Sequence, residues 1–110
     1  MNFRTLIVAA AAVALSATAL AAEMPEFNLS IKDHRFNPAE ITVPAGKKVK
    51  LVISNEDKTP EEFESHALKV EKVIPGNSKG TVFIGPLKPG SYGFVGEFHE
   101  KTAKGNIVAK

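Results

Sequence analysis

Cysteine is absent from this chain of 110 residues, and its absence removes several chemistries at once. No disulfide can staple the fold, no lipid can be attached at an N-terminal cysteine, and no thiolate is available to hold a metal. Charge of one sign is lacking too. Lys and Arg number 14 against 12 Asp and Glu, and the basic residues are spread along the chain instead of forming a stripe, which excludes a nucleic-acid partner. Methionine is scarce: Met24 is the sole one after Met1. It stands near the start of the mature chain and reads as a tail residue, not as an axial metal ligand. No heptad, long repeat or low-complexity tract follows the first two dozen residues, and no long amphipathic helical pattern does either.

What is present begins with a leader. Arg4 supplies a positive start, Leu6 to Leu20 is an Ala-rich apolar run, and Ala19-Leu20-Ala21 offers small residues where a signal peptidase reads. The run is short for a membrane span. Residues 1–22 are therefore expected to be a cleaved signal peptide, with export to the periplasm and one mature domain over residues 23–110. A domain of about 88 residues supports one hydrophobic core and not two.

The mature part alternates with a period of two. Phe27, Leu29 and Ile31 alternate with polar neighbours, as do Val49, Leu51 and Ile53. Further strands are expected at Glu40 to Val43, Phe63 to Val70, Thr81 to Ile84, Ser91 to Val95 and Asn106 to Ala109, separated by "PAG", "PGN" and "GPLKPG" turn signals. About seven short strands at this spacing predict an all-β sandwich or small barrel.

The polar residues left over by this pattern carry the chemistry. If Phe63 to Val70 is one strand, Glu62, Glu64 and His66 share a face with Leu68 and Val70, near the rim of the sandwich. The loop Glu97-Phe98-His99-Glu100 is expected to meet them there. Clustered carboxylates repel unless a cation sits between them, and carboxylate with imidazole suits hard or borderline ions such as iron, Cu(II) and Zn(II). His99 leads the candidate ligands, followed by Glu97, Glu64 and His66. Asp33 and His34 are expected to form a second, more exposed site or to orient the first ligands. Glu61, Glu62 and Glu100 are read as charges around the mouth of the site. Two readings stand at this point: a metal site, or surface carboxylates paired with lysines on a structural or protein-binding sandwich. Ser65 and His66 do not make a catalytic pair, because neighbours on a strand point to opposite faces.

The stretches "FNPAEITVPAGKKVKLVISNED" and "GPLKPGSYGFVGEFHEKTAKGNIVAK" resemble the opening strands and the closing metal loop of cupredoxins. The resemblance implies a Greek-key β-sandwich. Aligned on "YGFV" and "GNIV", Gly96 stands at the blue-copper cysteine, His99 at the loop histidine, Thr102 or Ala103 at the methionine, and Glu64 at the upstream histidine. Such a set excludes a blue-copper thiolate site. The combination of "IKDHRF", "EEFESHALKVEKVIPG", "GPLKPGSYGF" and "GEFHEKTAKG" is similar to a narrower group, the EfeO- and FtrB-like periplasmic cupredoxins that accompany bacterial iron permeases. That resemblance implies a copper or iron ion as cofactor, a membrane iron permease and other periplasmic uptake components as partners, and at most a helping role in oxidising Fe(II) to Fe(III).

Overall fold

The computed structural model describes residues 24–110. The leader expected over residues 1–22 lies outside them. No helix among the described residues is long and apolar enough to cross a membrane.

Nine strands are found among these residues: β1 (Glu26–Lys32), β2 (Arg35–Asn37), β3 (Glu40–Val43), β4 (Val49–Asn55), β5 (Glu61–Ser65), β6 (Val70–Ile74), β7 (Ser78–Ile84), β8 (Gly90–Gly96) and β9 (Lys104–Ala109). A single 3-10 turn, Glu97–His99, follows β8. The strands form two sheets, in the orders β2-β1-β4-β7 and β3-β9-β8-β5-β6. The pairs β1/β4 and β3/β9 are parallel, and the others are antiparallel. This is the all-β, Greek-key sandwich that the sequence predicts.

The period of two explains which residues face inward. Leu29 and Ile31 on β1, Val49, Leu51 and Ile53 on β4, Val82 and Ile84 on β7, and Ile107 on β9 are buried between the sheets. Their wet-side neighbours remain exposed or half-buried, as expected for sheets with one solvated face. Three phenylalanines fill the core toward one end. Phe36 meets Phe94 edge-on at 4.9 Å and Phe63 at 6.1 Å, while Phe63 and Phe94 lie 5.0 Å apart. Edge-on aromatic contacts of this kind contribute about 0.5–1.5 kcal/mol each beyond area burial.

One expected strand is broken. Phe63 to Val70 is not continuous: β5 ends at Ser65, residues 66–69 turn, and β6 begins at Val70. The Ser65 hydroxyl donates to the Gly93 carbonyl at 2.7 Å and accepts the Leu68 N–H at 3.1 Å, while Lys69 takes a positive φ of 57°. The turn resets the phase of the alternation. Phe63 faces the core together with Glu61 and Ser65, and Glu62 and Glu64 project from the opposite face.

Candidate functional site

The strand β5 carries acidic residues to both of its faces, and each face builds a different site. On the inner face Glu61 is held by the same alternation that buries Phe63, and only 1% of it is exposed. A buried carboxylate needs partners, and this one has three. Its Oε1 accepts the N–H of Glu62 at 3.0 Å and of Phe98 at 2.9 Å, and its Oε2 lies 2.6 Å from His99 Nδ1. The His99 ring stacks on His34, with centroids 3.5 Å apart and planes within 9°.

Three polar contacts position that stack. Asp57 accepts the backbone N–H groups of Asp33 at 2.8 Å and His34 at 3.0 Å, in a turn where both residues have positive φ. The His34 N–H holds the Asp57 carboxyl below the usual aspartate value of 3.8; partial burial opposes this, and the Asp33 N–H and the charges of His34 and His99 reinforce it. On the other side of the stack, Thr102 donates its hydroxyl to the His34 carbonyl at 2.6 Å. The loop itself is closed by Ala103 N–H to His99 O at 2.8 Å and Gly96 N–H to Ala103 O at 2.9 Å.

On the outer face Glu62 and Glu64 emerge two residues apart on β5. Glu64 stands directly opposite Glu71 of β6 and beside Val95 of β8, and Glu97 follows two residues after Val95. The result is a group of four carboxylates, Glu62, Glu64, Glu71 and Glu97, each with an oxygen within 4.8 Å of the others. Like charges directly opposite on paired strands destabilise a sheet. Glu64 is only 8% exposed, its Oε1 meets His66 Nε2 at 2.9 Å, and its Oε2 is buried without a hydrogen-bond partner. A depression lined by Glu64, Ser65, His66, Lys69, Val70 and Glu71 opens beside it.

The sequence-predicted residues therefore divide. Glu62, Glu64 and Glu97 come together on the outer face; His99 and His34 come together at the inner end. His66 does not join His99: its side chain is 94% exposed and reaches Glu64 from the turn after β5. Asp33 contributes its backbone N–H to Asp57 and its side chain is exposed. Glu100 is exposed just after the 3-10 turn. Sequence reasoning gave too little weight to Glu61, and it missed Asp57 and Glu71. The signal for Glu61 was its spacing of two from Phe63, which assigns both to one face.

The arrangement defines a class: a two-sheet, all-β sandwich with no cysteine, carrying a group of four carboxylates on one face of β5 and a buried carboxylate with an imidazole on the other. The chain belongs to the family of cupredoxin-like domains, whose profile matches residues 5–109. It is 45% identical over 83 residues to an uncharacterized protein of Rickettsia prowazekii (strain Madrid E), a match covering 76% of this chain and 66% of the relative, so the aligned part spans just under two thirds of that protein. Among solved structures it is similar to auracyanin A, a "blue" copper protein from Chloroflexus aurantiacus, with a TM-score of 0.66 at 16% identity, over 78% of this chain and 99% of the other. It is also similar to amicyanin from Paracoccus versutus, with a TM-score of 0.63 at 15% identity over 82% and 88% of the two chains. The metal-binding domain of the Cu(I)-exporting P-type ATPase CopA of Streptococcus pneumoniae D39 gives 0.68 at 13% identity over 80% and 88%. At these identities the structural likenesses show the fold.

A thiolate copper centre does not fit this chain. There is no cysteine, and Gly96, at the head of the loop after β8, faces the Glu61 carboxyl group: a Cβ there would lie 2.6 Å from Glu61 Cδ and 2.7 Å from Ala103 Cβ. The outer carboxylates do fit a cation, since the buried oxygen of Glu64 lacks a partner and its neighbours are of like charge.

Proposed function

We propose that the protein is an exported, periplasmic metal-binding cupredoxin that holds iron, copper or both and serves iron uptake through a membrane permease. The observation that carries the metal reading is the buried, unpartnered Oε2 of Glu64 inside a group of four carboxylates. In water such an oxygen would be solvated, and leaving it bare costs about 1–3 kcal/mol or more. A cation between Glu62, Glu64, Glu71 and Glu97 removes both that cost and the repulsion of Glu64 by Glu71 across the β5/β6 pair.

The donor set narrows the ion. Oxygen donors suit hard cations and disfavour Cu(I). Iron is singled out among them by the likeness of the four sequence motifs to cupredoxins that accompany iron permeases, and the same likeness supports the permease and the other periplasmic components as partners. Anionic oxygens favour the ferric state over the ferrous one. Iron held by these four carboxylates would be bound more tightly as Fe(III) than as Fe(II), and its oxidation would require a one-electron acceptor such as dioxygen or a Cu(II) centre supplied by another component. The residues themselves bind and orient: Glu64 is fixed by burial and by His66, while Glu71 and Glu97 are exposed and able to close on the ion.

Anaerobic calorimetric titration with Fe(II), beside Mn(II) and Ca(II), tests this reading. One Fe(II) per chain is expected at the cluster, with affinity reduced at least tenfold in Glu64→Gln, a loss of about 1.4 kcal/mol. Equal binding in wild type and variant would remove the cluster from the site. Binding of Ca(II) or Mn(II) without Fe(II) would remove iron. Absence of heat with every metal would return the protein to the class of structural or protein-binding sandwiches.

A further inference from the structure

The four outer carboxylates are placed by two different means. Glu64 and Glu71 are fixed by strand pairing, since the β5/β6 register sets them opposite each other and the β5/β8 register sets Glu64 beside Val95. Glu62 and Glu97 lie beyond that support. The β5/β8 pairing joins Phe63 to Gly96 and Glu64 to Val95, and after Gly96 the chain leaves β8 for the 3-10 turn Glu97–His99. Strand pairing therefore stops one step short of Glu62 and Glu97.

Glu61 takes over where the ladder stops. Its Oε1 accepts the N–H of Glu62 at 3.0 Å and the N–H of Phe98 at 2.9 Å, so one oxygen joins the backbone of one outer carboxylate to the backbone beside another. Its Oε2 is held by His99 Nδ1 at 2.6 Å, which fixes the plane of the carboxyl group. The residue is 1% exposed, and Gly96 packs against its Cδ. Hydrogen bonds to a buried charged acceptor are short and strong, so this tie holds both segments.

Given the outer carboxylates as a cation site, the reading on which this rests, we propose that Glu61 is their positioning residue. It does not touch the cation. From the inner face of β5 it sets the separation of Glu62 and Glu97 by clamping the two backbone segments that carry them. Ligands held in place before binding have less freedom to lose, and removing a group that orients metal ligands costs about 10–100-fold in affinity.

Two substitutions separate the reach of Glu61 from its charge. Glu61→Gln keeps the length and an amide oxygen for both N–H groups, turns its NH2 to His99 Nδ1, and removes the charge. Glu61→Asp keeps the charge and is one methylene shorter. In anaerobic calorimetric titration with Fe(II), Glu61→Asp is expected to lose about tenfold or more in affinity, and Glu61→Gln to match wild type. In the metal-free proteins, amide hydrogen exchange at Glu62 and Phe98 is expected to quicken together in Glu61→Asp and to stay slow in Glu61→Gln, with the β4 amides unchanged in both. A loss of affinity in Glu61→Gln with Glu61→Asp unharmed would make the charge responsible and overturn the proposal. Unaltered exchange at Glu62 and Phe98 in Glu61→Asp would overturn it too. Equal Fe(II) affinity in all three proteins, with binding still lost in Glu64→Gln, would overturn the role of Glu61 and leave the cluster standing, whereas no binding by wild type would overturn both. Should Glu61→Asp fail to fold, Glu61→Gln still decides, since a tenfold loss there contradicts a role carried by reach alone.

Discussion

A Cβ built on Gly96 would stand 2.6 Å from the carboxyl carbon of Glu61, so the glycine at the head of the loop and the buried acid at the start of β5 exclude each other's growth. Gly96 has φ −89° and ψ 106°, a conformation open to any residue. The need for glycine here is therefore one of space and not of backbone freedom.

Gly96→Ala is expected to lower stability by about 1–3 kcal/mol, the usual cost of overpacking a filled site. Thermal unfolding followed by circular dichroism checks it. An unchanged midpoint would mean that Glu61 moves aside freely, and with it His99.

Copper added to the wild-type protein is expected to give no intense blue absorption, because that band needs a thiolate and the chain has none. A visible spectrum of the Cu(II)-loaded protein suffices.

Charge removal in the outer cluster is expected to act with opposite signs in the absence and presence of metal. Glu71→Gln relieves the repulsion of Glu64 across the strand pair, stabilising the chelator-treated protein by about 0.2–1 kcal/mol. With saturating Fe(II) the wild type gains the linkage stabilisation that the variant lacks. Melting curves of both proteins in chelator and in anaerobic Fe(II) should cross over in rank.

Acid is expected to weaken the fold through Asp57. Its carboxyl is held below the ordinary aspartate value of 3.8, first by the His34 N–H, so its contribution is fully present above that value and is lost as pH falls through the lower, folded-state value. Asp57→Asn should be less stable than wild type near neutrality, and the gap should close below about pH 4. A gap independent of pH would assign Asp57 a packing role instead.

Ser65→Ala is expected to cost about 0.5–1.5 kcal/mol per bond lost, since Gly93 O loses its donor and the Leu68 N–H its acceptor in a partly buried setting. Hydrogen exchange at Leu68, compared between the two proteins, checks whether the turn at residues 66–69 loosens.

The fold was legible because alternation is a local property: Leu29 and Ile31, or Val49, Leu51 and Ile53, report their faces without reference to anything distant. The turn after Ser65 was not, because "SHAL" contains none of the glycine, proline or asparagine that announce turns, and the bonds that make it come from β8 and from Ser65 itself. That one turn inverted the reading of the acidic segment. Counting back from Leu68 and Val70 assigned Glu64 to the core side, whereas counting from Phe63 assigns Glu61 there. The stack of His34 on His99 joins residues 65 positions apart and rests on the Asp57 and Thr102 contacts, so nothing local in either histidine's neighbourhood could announce it. Glu71 was missed for the same kind of reason, since only the β5/β6 register places it opposite Glu64.

The parallel pairing of β3 with β9 has a kinetic consequence. Residues 40–43 find their sheet neighbours at residues 106–109, so one edge of the five-stranded sheet stays unsatisfied until almost all of the described sequence is available. Closing so long a segment before its contacts reward it slows assembly. A chain cut short of Lys104 would leave β3 with no partner among the described strands, so the five-stranded sheet is completed only when β9 is in place.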